Sequence, residues 1–319
     1  MSSASPSTGL LLDEVYLNHD TGAGHPERAD RLRAVAKGLK GAGLVERTAK
    51  LTQTMAEEEA ILRCHSREYL EIVKRDGAAG RSDLRTGDTE ISEASLGVGA
   101  RAGGGGVGAV EEVMAGQLRN AFCAVRPPGH HARPEQGMGF CLFNNVAIGA
   151  RFAQAKMGAE KVFIVDWDGH HGNGTQDVFY EDGSVLFFSV HQAPWYPYTG
   201  WAEEMGEGKG KGLTMNAPLP GGSGMKQIGA ILRDQVLPVA AKFKPDLVMI
   251  SAGFDSRVDD PLGRFTLTDE DFAELTRELM GFADSYCDGR VVSVLEGGYN
   301  VEGLTSAVVA HVGALTGDK

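Results

Sequence analysis

The chain has 319 residues, of which 42% are hydrophobic and 23% charged, and a formal net charge of −12. This is enough chain for a substantial core in one large or two small domains, with the composition of an ordinary globular protein. The acidic balance argues against broad nucleic-acid binding, which needs clustered Lys and Arg against phosphate.

Cys64, Cys123, Cys141 and Cys287 form no CxxC pair and read as reduced thiols, as expected of a cytoplasmic protein. Met1 to Thr8 is Ser-rich and lacks the basic-then-apolar order of a signal peptide, so a flexible tail is expected over residues 1–8. No apolar run is long enough to span a membrane.

Gly9 to Leu17 reads as a first strand, followed by a polar loop over 18–27 that holds His19, His25 and Pro26. Leu32, Val35 and Leu39 recur at helical spacing before Gly41 and Gly43, which predicts a helix over 28–43. A second helix is expected over 56–75, a Gly-rich surface loop over 78–92 and a helix over 93–117. The run Gly103 to Gly106 lies inside that last helix. It follows no clear strand, so it reads as a site of close helix packing rather than a phosphate loop.

The second half alternates. Short apolar runs at 121–125, 162–165, 185–190, 246–251 and 291–295 are separated by helical stretches, including one ending near Phe243 and one over 269–286. Such runs predict a parallel sheet covered on both faces. With no linker or repeat, the expectation is a single α/β domain over 9–319. In such folds ligands bind beyond the carboxyl ends of the strands.

The polar residues after these strands are concentrated. Arg126-Pro-Pro-Gly-His130-His131 follows one run and Asp166-Trp-Asp168-Gly-His170-His171-Gly-Asn173 another; Gly253-Phe-Asp255 and Glu296-Gly-Gly-Tyr299-Asn300 follow two more. On an extended segment residues i and i+2 point to the same side, so Asp168 and His170 can face one metal, with Asp255 completing the set. Three protein ligands and an open position form a catalytic zinc layout. Two carboxylates with one imidazole also suit Fe(II) or Co(II). The plain alternative is a set of loop polar groups.

His130 and His131 can supply a general base and acid near neutral pH, with Asp166 and Asn173 as orienting partners. Tyr299, behind two glycines, can donate to a developing oxyanion. An ordinary packed tyrosine is the alternative.

Taken together, RPPGHH (126–131), GFCLFNN (139–145), DWDGHHGNGTQ (166–176), AGFD (252–255), DPLG (260–263) and LEGGYN (295–300) resemble the histone deacetylase family, including its bacterial amidohydrolases and the acetylpolyamine amidohydrolases. The resemblance runs from about Gly9 to near the C-terminus. It implies the arginase/deacetylase fold, an open parallel sheet flanked by helices. It also implies a zinc-dependent deacylase acting through metal-activated water, with Asp168, His170 and Asp255 as zinc ligands, His131 as base and acid, His130 paired with Asp166, and Tyr299 stabilising the oxyanion. Asn173, rather than Asp, pairs with His131, which should make that imidazole less basic.

The resemblance further implies a structural potassium site at Asp166, Ser189 and Val190, joined by Asp168 and His170. It implies a tunnel lined by Gly139, Phe140 and Tyr196, with Gly298 beside the substrate and Arg28 near an inner cavity. Relatives that prefer acetylpolyamines tend to carry an acidic residue where this chain has Leu262, so acyl-lysine in peptides or proteins is the expected substrate, small acylated amines the alternative. Bacterial relatives often form dimers or tetramers. A ureohydrolase of the same fold would need a two-metal DxHxD pattern, and Gly172 stands at the last of those positions. A non-catalytic acyl-lysine binding module would be expected to lack Tyr299, a catalytic His or a zinc ligand, and all are present.

Overall fold

A computed structural model describes residues 7–318. Eight strands form one sheet: β1 (Thr8–Leu11), β2 (Ala49–Lys50), β3 (Asn120–Cys123), β4 (Val162–Asp166), β5 (Val185–Gln192), β6 (Thr214–Leu219), β7 (Leu247–Ala252) and β8 (Val291–Leu295). Their order is β2-β1-β3-β8-β7-β4-β5-β6, and every pairing is parallel. β3, β4, β5, β7 and β8 are buried at every residue. Helices cover both faces, which is why these strands read as unbroken apolar runs instead of alternating ones. The helices Ala29–Gly41, Asp269–Tyr286 and Val301–Leu315 pack on one another, and Ser95–Met114 packs on Asn145–Lys156.

The register aligns the chemistry. Asp166, the last residue of β4, is level with Ser251 on β7 and Ser189 on β5. Ser251 is level with Val294 on β8, which is level with Cys123 on β3. The polar segments that leave β3, β4, β7 and β8 therefore start from one edge of the sheet and converge above it.

Several element boundaries differ from the sequence expectation. The first strand ends at Leu11, because Asp13 caps a single-turn helix, Glu14–Asn18, by accepting from Val15 N at 2.8 Å. Thr8, expected in the tail, is strand: it pairs with Asn120 and donates its hydroxyl to Leu315 O at 2.9 Å. Residues 1–6 of that tail lie outside the described residues. The helix expected over 56–75 is two, Glu58–Ile61 and Arg67–Ala78. Ser66 separates them: its backbone N–H goes to Pro134 O, and its hydroxyl caps the second helix at Tyr69 N.

The glycine run packs as expected. The backbone of Thr54, Met55 and Ala56 lies against Gly104, and Thr54 donates its hydroxyl to Gly104 O at 2.8 Å. Among the described residues no helix is long and apolar enough to cross a membrane.

Candidate active site

The segments leaving the strands bring Asp168, His170 and Asp255 together. His170 Nδ1 lies 3.1 Å from Asp168 Oδ1 and 2.9 Å from Asp255 Oδ2, and all three residues are buried. Backbone donors aim the carboxylates: Gly297 N donates to Asp168 Oδ2 at 2.9 Å, and Gly169 N to Asp255 Oδ1 at 2.6 Å.

Burial pushes His170 down, but the carboxylates of Asp255 and Asp168 outweigh it and lift the imidazole to about 10. Burial, reinforced by the charge of Asp168, raises Asp255 to about 7. Two carboxylates in so dry a place demand a cation between them. The imidazolium answers that demand in part. A divalent ion would answer it fully, with His170 as a neutral ligand, so the donor set fits a metal.

A second buried trio, His130, Cys141 and Glu296, also converges. Both Glu296 interactions with neighbouring backbone are taken up at Oε2, by Gly129 N at 2.6 Å and His130 N at 3.1 Å. Burial holds the Cys141 thiol well above its ordinary value.

The two histidines differ in surroundings. His130 Nδ1 donates to Asp166 Oδ2 at 2.9 Å. Burial lowers its basicity, yet the charges of Asp168 and Asp166 prevail and hold it well above the usual histidine value. His131 Nδ1 donates to Asn173 Oδ1 at 2.8 Å. Burial, then the positive charges of His130 and His170, hold His131 well below its ordinary value. The surroundings thus favour the imidazolium at His130 and the neutral base at His131, whose ring centroids are 4.0 Å apart.

Asp168, His170 and Asp255 sit below a cavity of about 320 Å³ lined by His131, His170, Tyr299, Gly139, Phe140 and Tyr196, with Leu262 and Asp88 also on its wall. The ring of Tyr196 stands edge-on to His131 at 5.2 Å, and that of Phe140 edge-on to Tyr299 at 5.9 Å. Gly139 has φ +57, and a Cβ there would run into the His131 ring, so the wall needs glycine at that point. Burial, with the charge of Asp255, keeps the Tyr299 phenol protonated far above its usual range.

Two expected positions fall elsewhere. Gly298 does not line the cavity: its carbonyl accepts from Arg31 Nε at 2.6 Å and so points into the protein. Arg28 precedes the helix Ala29–Gly41 with its side chain about half exposed near Asp30, on an open surface groove. One turn later Arg31 faces inward instead. It is fully buried, bonds Glu27, Gly298 O and Glu296 O, and lies 5.1 Å from the Tyr299 ring centroid. Asp166, Ser189 and Val190 are buried side by side on β4 and β5.

Sequence reasoning missed five contributors. Glu27 is the shared carboxylate of two buried arginines, Arg31 and Arg126. Asp260 accepts from Tyr299 N at 2.7 Å and Asn300 N at 3.0 Å, fixing the backbone that carries the phenol. Asp88 accepts from Gly139 N at 2.8 Å and from the Tyr196 hydroxyl at 3.3 Å, joining two walls of the cavity. Of these, Asp260 and Arg126 stood within quoted motifs, while Asp88 stood in a polar loop with nothing to single it out.

Comparison with known proteins agrees with this geometry. Residues 25–315 match the model of the histone deacetylase domain. A protein of Archaeoglobus fulgidus described as "Probable deacetylase" is 42% identical over 93% of this chain and 82% of its own length. A histone deacetylase-like amidohydrolase of Pseudomonas aeruginosa is 37% identical over 92% of this chain and 82% of its own. The crystal structure of the HDA15 HD domain superposes with a TM-score of 0.93 at 38% identity, covering 99% of this chain and 91% of that one. The chain belongs to the histone deacetylase family and is a hydrolase of the deacetylase and amidohydrolase kind, a family characterised by zinc dependence.

Proposed function

We propose that residues 9–319 act as one catalytic domain that hydrolyses the amide of N-acyl amines, above all acyl-lysine side chains in peptides or proteins. The observation that carries this reading is the grouping of three metal-type donors, a neutral imidazole and a buried phenol around one narrow cavity. Asp168, His170 and Asp255 would hold a divalent cation, zinc by the habit of the family, with Fe(II) or Co(II) as alternatives. When bound, such an ion supplies Lewis acidity to the acyl carbonyl and to water.

The chain's own residues do the rest. Asn173 fixes the Nδ1–H tautomer of His131, which leaves Nε2 free to take the proton of the attacking water. His131 then returns that proton to the nitrogen as the C–N bond breaks, releasing an amine and a carboxylic acid. Tyr299 donates its hydroxyl to the developing oxyanion. Asp260 keeps the Tyr299 backbone in place, and Asp166 orients His130, whose ring lies beside the base and favours the protonated form. Asp166, Ser189 and Val190 would hold a potassium ion beneath this floor.

Gly139, Phe140 and Tyr196 suit the aliphatic stem of lysine, and Leu262 offers no charge to a second amine. Asp88 is the one observation that favours a small cationic acylamine, and its carboxylate is already engaged by Gly139 and Tyr196. The test is turnover of the zinc-loaded protein on an acetyl-lysine peptide beside N-acetylputrescine, with a chelator control. Chelator-sensitive preference for the peptide supports the reading. A tenfold preference for the polyamine would replace acyl-lysine with acylpolyamine, and no turnover of either would sink both.

A further inference from the structure

Tyr198 departs from local preference in two ways. Its φ is +65, a left-handed conformation that glycine adopts freely and a tyrosine does not. The residue is also 70% exposed, so the ring gains little from burial. Yet Tyr198 lines the mouth of the active-site cavity. Among the described residues no hydrogen bond to its hydroxyl and no aromatic contact draws the ring back onto the protein.

The surrounding loop is bolted down on both sides of it. Before Tyr198, Trp195 donates from its indole to Leu262 O at 2.9 Å, beneath the Arg264 guanidinium. Tyr198 N itself donates to Trp195 O at 2.7 Å. After it, the Thr199 hydroxyl meets His171 Nδ1 at 2.8 Å, and Gly200 N and Trp201 N both donate to Glu204. Glu204 in turn accepts from Gln176 Nε2 at 2.6 Å. Gly200, at φ +84, lies so close to the rings of His171 and His191 that a Cβ would stand 2.5 Å from each. His171 follows the metal-type ligand His170 directly in the chain, and Gln176 stands six residues after His170, so the loop is indexed to the chemistry.

A strained residue persists where its surroundings over-determine it, and such residues cluster at ligand sites. The flat, apolar face of a phenol suits peptide backbone and neighbouring side chains. When a lysine side chain fills the cavity, the flanking peptide stays outside, where Tyr198 stands. A small acylated amine leaves nothing there. We infer that Tyr198 is a specificity residue that grips the peptide flanking the acylated lysine and sets a preference for acyl-lysine within a chain over free acylated amines. This rests on the acyl-lysine reading above.

The test compares wild type, Tyr198→Gly, Tyr198→Ala and Tyr198→Phe on an acetyl-lysine peptide and on free Nε-acetyl-lysine. In Tyr198→Gly and Tyr198→Ala the ratio of kcat/KM, peptide over free, falls about fivefold, chiefly through KM for the peptide. Tyr198→Phe keeps the wild-type ratio. Tyr198→Gly also raises the melting temperature by about 1–3 °C, because the left-handed backbone no longer carries a side chain. An unchanged ratio in the Gly and Ala variants overturns the inference while the acyl-lysine reading stands. No turnover of either substrate by wild type overturns both.

Discussion

Asn173 Oδ1 receives the Nδ1–H of His131 at 2.8 Å, so the base that faces the cavity is steadied by a neutral amide. The burial and neighbouring positive charge that hold His131 low are therefore not offset by a carboxylate. A base works only when unprotonated, and a depressed value keeps His131 neutral down to pH values below the ordinary histidine range. Replacing Asn173 with Asp places an anion at the same atom and favours the imidazolium. The acid limb of the kcat/KM profile then moves to higher pH by about 1 unit. A pH–rate series on both proteins checks this, and an unmoved limb would mean that His131 is not the titrating base.

Tyr299→Phe removes one hydroxyl and leaves the ring against Phe140 and under Arg31. Turnover should fall by roughly 10²–10³, the usual cost of one oxyanion donor, with KM little changed. Metal content and melting temperature should match wild type. Near-wild-type turnover would remove Tyr299 from the chemistry.

The frame beneath the phenol depends on Glu27, which accepts from Arg126 Nε at 2.5 Å and Nη2 at 2.7 Å and from Arg31 Nη1 at 3.0 Å, all without solvent. Burial raises this carboxyl, but the Arg126 charge and hydrogen bond overcome it and bring it to about 2. A carboxyl lower in the folded than in the unfolded chain stabilises fully above the unfolded value of about 4.3, and that stability is lost as pH falls toward 2. Glu27→Gln leaves two guanidiniums short of an anion and should cost about 3–5 kcal/mol in urea unfolding at neutral pH. The difference between variant and wild type should narrow as pH falls through about 4 to 2. A uniform difference at every pH would show that packing, not charge, holds this frame.

How much of this was readable beforehand follows from the physics. The strand ends were legible because a buried parallel sheet writes continuous apolar runs, and the polar groups needed for chemistry interrupt them abruptly, as at Val165-Asp166 and Leu295-Glu296. The helix Asn145–Lys156 was not read, because it is buried over most of its first two turns and shows little apolar stripe. The Glu27–Arg31–Arg126 cluster was not read either. Its members are 99 residues apart at the widest, and only folding reveals that two cations share one carboxylate. Arg28 stood out in the sequence in place of Arg31, but Arg28 is the extended residue before the helix Ala29–Gly41 and stays at the surface, whereas Arg31, inside the helix, is buried. Asp88 lay in a loop whose polar residues look alike until Gly139 and Tyr196 are brought against it.

A metal at Asp168, His170 and Asp255 would relieve two buried carboxylates, so removing it should cost stability as well as activity. Exhaustive chelation should lower the melting temperature. Titrating zinc back should raise it with concentration, by about 2.7 kcal/mol of stability at a hundredfold excess over Kd. Asp255→Asn should lose most of this response. A melting temperature indifferent to both chelator and zinc would argue that these three residues hold no ion.

Leu262 stands on the cavity wall with its carbonyl tied to Trp195, so its side chain can change without freeing the backbone. Leu262→Glu would set a carboxylate where a second ammonium of an acylated polyamine would pass. At an effective dielectric between that of protein surface and water, such a pair contributes about 1 kcal/mol, or about fivefold in kcat/KM. N-Acetylspermidine should gain by that factor, and an acetyl-lysine peptide with neutral flanks should not. The gain should fade in high salt, because the mouth is open to solvent. If the variant treats both substrates alike at low salt, Leu262 does not read the substrate's charge, and selection falls to Asp88 and the Tyr198 loop.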